Sequence, residues 1–189
     1  KYNDQTVIQS INDTLIGQRS QIEANVNDVE VKYRPKRNLI LYVSDSTGQM
    51  QIRFLHYYPS QIKQLESAGL VRFYGEVRQQ SNYKEMIHPE YYLVNDSTEL
   101  SKNLTPIYSI TKGLSQNMIR KLIKNHIESA TQDKLFKELF LNFYEKYNFP
   151  SFMDSISFLH EPPKIKVKDI EAVHNSKFYK RLIYDELLA

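Results

Sequence analysis

The first half of the chain consists mainly of short segments in which apolar and polar residues alternate with the period of a half-buried β-strand. One segment, between the third and fourth of these, has helical spacing instead, with Ile62 and Leu65 on one face. Pro59 suits its first turn and Gly69 is predicted to cap its end. The order is therefore three strands, a helix and two strands. The predicted strands cover residues 19–33, 38–45, 49–54, 70–78 and 85–94.

Two local signals indicate how these strands run. Apolar positions in the first strand change parity near Asn27 and Asp28, which predicts a β-bulge or a bend. Ser-Thr-Gly at 46–48 predicts a tight turn, so residues 38–54 form a hairpin. Five short strands with one helix after the third are typical of an OB-fold barrel. The predicted fold class is α+β, a five-stranded OB-fold β-barrel followed by a small helical region.

Beyond residue 95 the pattern becomes helical. The stretch 95–105 is polar and aperiodic, which indicates a domain boundary. Apolar residues then recur with a 3.6-residue period in 115–127, behind Ser115 as N-cap. Further helices are predicted at 132–145, 150–159 and 175–188. The predicted domains are residues 1–95 for the barrel, 96–104 for a linker and 105–189 for the helical region.

Composition and charge limit the classes of function. The 189 residues are 41% hydrophobic and include no cysteine, and no stretch approaches the length of a membrane span. Residues 1–100 carry 11 Lys and Arg against 12 Asp and Glu, so nucleic-acid binding there requires local basic clusters and stacking. A start at Lys1 without Met or a signal segment indicates an internal fragment, and we expect a cytoplasmic protein.

The motifs of catalytic and metal centres are missing from the sequence. The five histidines have neither HxxxH nor HxH spacing, and no G-x-x-x-x-G-K-[ST] loop is present. No glycines mark a nucleophile elbow. We therefore predict no catalytic residue, no metal ion and no cofactor in this chain, which should be inactive as an enzyme by itself.

Basic residues are concentrated where an OB-fold binds its ligand, on strands 2 and 3 and the loops joining strands 1–2 and 4–5. The first of these loops, Lys-Tyr-Arg-Pro-Lys-Arg at 32–37, interleaves four cations with Tyr33. A solvated charged turn and a phosphate-binding loop explain it equally well. The candidate phosphate contacts are Lys32, Arg34, Lys36 and Arg37 in this loop, Arg53 on the third strand, and Arg78 and Lys84 beside the other loop.

An aromatic cluster stands at the exit of the third strand, where polar turn residues are usual. Phe54 shares the parity of Met50 and Ile52, so it is either a core residue or an exposed stacking ring. Tyr57 and Tyr58 lie past the strand end, where exposure is expected. An exposed ring stacks on a nucleobase for about 1–3 kcal/mol.

Several segments of the sequence resemble the RecG family of bacterial ATP-dependent DNA helicases, which remodel stalled replication forks. The matching pieces, spread over nearly the whole chain, are Asp-x-Thr-Gly at 45–48, Arg-Phe before the aromatic cluster at 53–58, Gly-Glu-Val at 75–77, Glu-Met-Ile-His-Pro-Glu-Tyr at 85–91, Leu-Thr-Pro-Ile-Tyr at 104–108 and Gly-Leu-Ser-Gln at 113–116.

The resemblance implies a role for each part of the chain. Residues 1 to about 95 would be the wedge domain, an OB-fold that splits the fork. Its stacking pair is a Phe and a Tyr four residues later, which Phe54 and Tyr58 match, with Tyr57 as a third candidate. Residues 104–189 would lead towards a helicase motor beyond Ala189, for which ATP and Mg are expected in the full-length protein.

The function implied is recognition of branched DNA and strand splitting in recombination and repair. Implied with it are a nucleoid-associated monomer and single-stranded DNA-binding protein as a candidate partner. Two other classes stay open from the residues: a general single-stranded nucleic-acid or tRNA-binding OB module, and a protein-interaction scaffold whose aromatic residues are all buried.

Overall fold

The computed structural model divides the chain into two compact units. The barrel unit is Val7–Leu100, and the helical unit joins Lys1–Thr6 to Ser101–Ala189. The first six residues thus group with the C-terminal half, while the domain boundaries drawn from the sequence stay predictions. The structure describes residues 1–34, 37–95, 98–111, 113–132, 141–163 and 170–188.

Strands and helices follow one another in nearly the predicted order. The strands are β1 (Tyr2–Asn3), β2 (Arg19–Lys32), β3 (Asn38–Ser44), β4 (Gln49–Phe54), β5 (Leu70–Gln80), β6 (Tyr83–Ile87), β7 (Glu90–Leu93) and β8 (Thr105–Pro106). The helices are α1 (Pro59–Glu66), α2 (Gln116–Gln132), α3 (Leu141–Lys146), α4 (Phe152–His160), α5 (Ile170–His174) and α6 (Lys177–Leu188).

Five strands of the barrel unit close on themselves. β3 pairs antiparallel with β2 and β4, β4 pairs parallel with β6, and β5 pairs antiparallel with both β6 and β2. This ring, with α1 between β4 and β5, confirms the predicted OB-fold. β2 takes part in two pairings because a register shift between Val26 and Asp28, the predicted bulge, bends it.

The last predicted strand, 85–94, is two strands in the structure. His88 has φ +51° and Pro89 follows it, so the strand is interrupted between β6 and β7. Both strands pair with β5, on either side of Gly75. A Cβ at Gly75 would lie 3.0 Å from the Cβ of Pro89, so the break packs closely against a residue without a side chain.

Helix α1 begins as predicted but ends differently. Pro59 occupies its first turn. The helix ends at Glu66 with Ser67 in the right-handed region as its C-cap, so the prediction of Gly69 as the cap was wrong. Gly69 instead accepts a hydrogen bond from the Val26 N–H through its carbonyl, at 3.1 Å, and joins the turn after α1 to β2.

The core of the barrel is built from the inward positions of β2 to β6, with Ile11 and Leu65 from outside these strands. β4 contributes Met50, Ile52 and Phe54, its alternate residues, while α1 contributes Leu65. Partly buried Ile62 and Tyr57 pack against this core. The buried members are Ile11, Ile22, Ala24, Leu39, Leu41, Val43, Met50, Ile52, Phe54, Leu65, Val71, Phe73, Val77 and Met86.

In the helical unit, two serines start helices. The hydroxyl of Ser115 accepts the Met118 N–H at 3.2 Å, which confirms the predicted N-cap of α2. Ser151 caps α4 in the same way through the Asp154 N–H. The helix predicted at 132–145 falls mostly outside the described residues. None of the helices in the described part of the chain has the length and apolar character needed to cross a bilayer.

Asp45 organises the β3–β4 turn and the segment that precedes β2. Its Oδ1 accepts the Thr47 N–H at 2.7 Å and the Gly48 N–H at 2.9 Å, and its Oδ2 accepts the Ile11 N–H at 2.7 Å. Burial by itself raises the pKa of Asp45, but these hydrogen bonds to the carboxylate outweigh burial and lower the pKa below its ordinary value of 3.8.

Replacing Asp45 by alanine should lower the free energy of unfolding by about 2 kcal/mol at pH 7, because charge-assisted hydrogen bonds are lost. Since the folded pKa is depressed, this contribution is full above pH 3.8 and disappears as the pH falls through the lower folded value. Urea denaturation of wild type, Asp45→Ala and the control Asp28→Ala checks this across pH. Asp28 is an exposed carboxylate bonded to the neighbouring Val29 N–H. Equal losses in both variants would contradict the prediction.

Candidate nucleic-acid interface

Phe54, the last residue of β4, lies in the core. It is 4% exposed, and its ring makes edge contacts with His88 at 5.9 Å and Tyr91 at 5.8 Å between centroids. Of the two alternatives that the sequence leaves open, the structure thus favours packing. A nucleobase would meet this ring only if the core opened at the end of β4.

Tyr58, four residues later, has the opposite environment. Its side chain is 78% exposed. It is the residue that precedes α1, and its backbone is extended (φ −104°, ψ 151°). Pro59 favours this extended conformation of Tyr58, because a residue before proline is disfavoured in the helical region. The ring is therefore held in solvent between a core anchor on one side and a helix on the other.

Tyr57 joins the aromatic cluster to the β2–β3 loop. The Nε of Arg37 donates to the Tyr57 hydroxyl at 2.6 Å, and the guanidinium carbon lies 5.0 Å from the centre of the Tyr57 ring. The same carbon lies 6.0 Å from the ring of Tyr33, which is 70% exposed. Such cation–π contacts hold Arg37 against the rings. We call Tyr33, Arg37, Tyr57 and Tyr58 the ring patch.

Tyr33 is the member of the ring patch that sequence reasoning missed as a site residue. Its position between two cations, Lys32 and Arg34, was the available signal. What the sequence does not show is that Arg37, four residues later, lies near the same ring.

The Lys84 ammonium group forms hydrogen bonds within the protein. Its Nζ donates to the carbonyl oxygens of Ile11 at 2.9 Å, Asn12 at 2.9 Å and Thr14 at 2.8 Å. An ammonium group has three donors, and these carbonyls engage all of them. Lys84 therefore anchors the segment before β2, and a phosphate could bind it only in exchange for these bonds.

Arg53 is also engaged, on the outer face of β4. Its guanidinium lies 2.9 Å from Glu85, whose side chain is only 4% exposed. Removing the arginine from this pair would leave a buried carboxylate without its counter-charge, which is strongly unfavourable. Arg53 is thus placed on the predicted binding face but is held there by the protein itself.

The other candidate cations differ in how firmly they are held. Lys32 pairs with Glu30 and Arg78 with Glu76, each at 3.3 Å and well exposed. Exposed pairs of this kind contribute little, so a phosphate can displace them. Arg34 is exposed in the loop beside Tyr33, whereas Lys36 lies outside the described residues.

The arrangement is suited to binding. An exposed ring offers a π-face to any base, and an adjacent guanidinium offers donors to a phosphate. Within the described part of the chain, no group of three or more His, Asp or Glu side chains could hold a metal ion. The absence of a metal and of a cofactor stays a prediction.

Comparison with known proteins gives consistent matches. A family model described as the RecG wedge domain matches residues 1–130. The ATP-dependent DNA helicase RecG of Pasteurella multocida is 32% identical over 193 residues, and that of Escherichia coli K12 is 29% identical over 196. Both alignments cover the whole chain, which spans 27% of the length of each relative.

A solved structure, described as "Structure of RecG bound to three-way DNA junction", has a similar fold. It aligns with 99% of this chain and 25% of its own chain, with a TM-score of 0.74 and 22% sequence identity. At this level of identity the likeness concerns the fold.

The contrast between Phe54 and Tyr58 predicts different effects on stability. Phe54→Ala should lower the free energy of unfolding by roughly 3–5 kcal/mol, because a buried ring is removed. Tyr58→Ala should change it by less than about 0.5 kcal/mol, because the ring is in solvent. Urea denaturation followed by circular dichroism measures both. A Phe54→Ala variant as stable as wild type would contradict the assignment of this ring to the core.

Proposed function

The chain belongs to the RecG wedge domain family, and we propose that it is the DNA-binding wedge region of a RecG-like helicase. In this role it recognises branched DNA, such as stalled forks and Holliday junctions, and splits strands during fork reversal in recombination and repair. The observation that carries the proposal is the 78% exposed ring of Tyr58 at the end of a closed barrel, directly after Tyr57, whose ring contacts Arg37.

The mechanical part of the proposal follows from the position of Tyr58. When duplex DNA is pulled against a fixed obstacle, the base at the branch point loses a stacking partner. A ring on a rigid support replaces that partner for about 1–3 kcal/mol without reading the base sequence. Tyr58 has such a support, since Phe54 is anchored in the core and α1 starts at the next residue.

The electrostatic part rests on Arg37 and Arg34. One edge of the Arg37 guanidinium faces the Tyr57 hydroxyl, and a planar guanidinium stacked on a ring keeps further donors for a phosphate. Arg34 lies exposed in the same loop. Together they would hold a separated strand by its backbone while Tyr58 covers the last base.

The proposal for the whole protein goes further. The chain spans about a quarter of its relatives' length, so the motor, with its ATP and Mg, would lie in the remainder. The solved RecG bound to a three-way DNA junction supports branched DNA as the partner. We place the protein in the cytoplasm at the nucleoid, as a monomer, with single-stranded DNA-binding protein as a candidate partner.

The two competing functions make different predictions for binding. A scaffold with only buried aromatic residues disagrees with Tyr33 and Tyr58, which are 70% and 78% exposed. A general OB module would bind a linear single strand as tightly as a fork. Affinities of the purified chain for a fork, a linear single strand and a plain duplex therefore separate the proposal from both alternatives.

Stacking predicts a specific pattern of mutational effects at Tyr58. Tyr58→Ala should weaken fork binding by about 1–3 kcal/mol. Tyr58→Phe should leave fork affinity almost unchanged, because it keeps the π-face. Duplex binding should change little in either variant, since the bases within an intact duplex are already stacked on both faces. Fluorescence anisotropy with labelled fork and duplex measures this. Loss of affinity in Tyr58→Phe as large as in Tyr58→Ala would exclude stacking.

Phosphate contacts predict a change in salt dependence. Arg34→Ala with Arg37→Ala should reduce the slope of log affinity against log salt by up to about two units, because each contact releases about one counterion. Lys84→Met is the control: it should lower stability but leave the slope of the folded protein unchanged, because its ammonium already binds three carbonyls. A reduced slope in Lys84→Met alone would reverse the two assignments.

A further inference from the structure

We propose that His88 is a positioning residue for the stacking loop, residues 55–58, and that it acts only as a neutral imidazole. The inference rests on the proposed function and adds to it the residue, and the protonation state, on which the placement of Tyr58 depends.

Two hydrogen bonds join His88 to the end of β4. The Leu55 N–H donates to His88 Nε2 at 3.0 Å. The backbone N–H of His88 donates to the Arg53 carbonyl at 2.8 Å. The edge contact between the His88 and Phe54 rings adds a third point of attachment. His88 thus contacts three consecutive residues, 53–55, where the end of β4 leads into the stacking loop.

The backbone at His88 is shaped to make these contacts. A φ of +51° is uncommon for a residue with a side chain and is strained, so it persists only where the surroundings compensate. Here the buried Pro89 packs against Gly75 and holds the turn. The turn between β6 and β7 therefore presents the imidazole to β4.

Protonation of His88 is incompatible with its bond to Leu55. Nε2 accepts the Leu55 N–H, so the proton of the neutral ring must reside on Nδ1. In the imidazolium both nitrogens carry protons, so the Nε2–H group would face the Leu55 N–H, which is also a donor. The ring or the loop must move, and residues 55–58 lose one of their attachments.

The surroundings of His88 also disfavour the charged form. Partial burial and then the nearby His56 lower the pKa of His88 below 6.5. The His56 ring is stacked on it at 5.9 Å. On the other elements packed here, the Arg53 guanidinium pairs with Glu85, and β7 carries Glu90 and the Tyr91 phenol, which donates to Gln64 on α1. The bond to Leu55 is therefore intact at neutral pH.

The sign of the expected pH effect distinguishes positioning from simple charge. Adding a proton to His88 makes the barrel unit more positive, which by itself strengthens binding to any DNA. Release of the stacking loop instead weakens fork binding relative to duplex binding. We expect the ratio of fork to duplex affinity to fall by up to about fivefold as the pH decreases from neutral through the lowered pKa of His88, the size of one lost hydrogen bond.

The experiment combines pH titration with variants of His88. His88→Gln keeps an acceptor at the position of Nε2 but does not titrate, so its selectivity should be independent of pH. His88→Asn tolerates the left-handed φ but is too short to reach Leu55, so its selectivity should be low at every pH. His126→Gln replaces another exposed histidine, on α2, and serves as the control. In this variant the ratio of fork to duplex affinity should depend on pH as it does in wild type.

The Leu55 amide reports on the contact without DNA. Its nitrogen and proton chemical shifts in the free chain should titrate together with the His88 ring. A pH-dependent selectivity that persists in His88→Gln, or a Leu55 amide that does not follow His88, would overturn the proposal. Failure of the proposed function is recognised separately, by a Tyr58→Ala variant that binds forks as wild type does while the Leu55 amide still titrates.

Discussion

Barrel closure depends on β2, whose two halves pair with different strands. Residues Arg19 to Asn25 of β2 lie against β5, and Asn25 to Lys32 lie against β3, with the register shift after Val26 near the start of the second half. Without this bend the sheet would stay open and β4 would not be held parallel to β6. Since β4 ends at Phe54, closure also decides where the aromatic cluster leaves the barrel.

The cations of the barrel unit divide into two groups by what they already bind. Lys84 and Arg53 are held by three carbonyls and by a buried carboxylate, and exchanging those partners for a phosphate is unfavourable. Lys32 and Arg78 form exposed pairs that water screens, and Arg37 lies on aromatic rings at the surface. Proximity to an OB-fold binding face is therefore insufficient to identify a phosphate contact.

The stacking loop, residues 55–58, combines rigidity with exposure. Loops usually reach solvent by giving up order, but here a buried ring, a hydrogen bond to His88 and the start of α1 enclose only four residues. A stacking ring is useful to a wedge only if it stays in place while DNA moves past it. The short, multiply attached loop satisfies that requirement, and in the proposed function it would let His88, some 30 residues away in sequence, affect the placement of Tyr58.

Much of the fold could be predicted from the sequence, because strand and helix periods, the bulge near Asn27, the Pro59 start of α1 and the Ser115 cap are local patterns. The motifs also determined the family. Only the tertiary structure decided that Phe54 is core, that Lys84 binds the segment at Ile11 to Thr14, and that His88 breaks the last strand and meets Leu55. These facts depend on contacts between residues some 30 to 70 positions apart. A period in the sequence shows which residues share a face, but it does not show what lies opposite them.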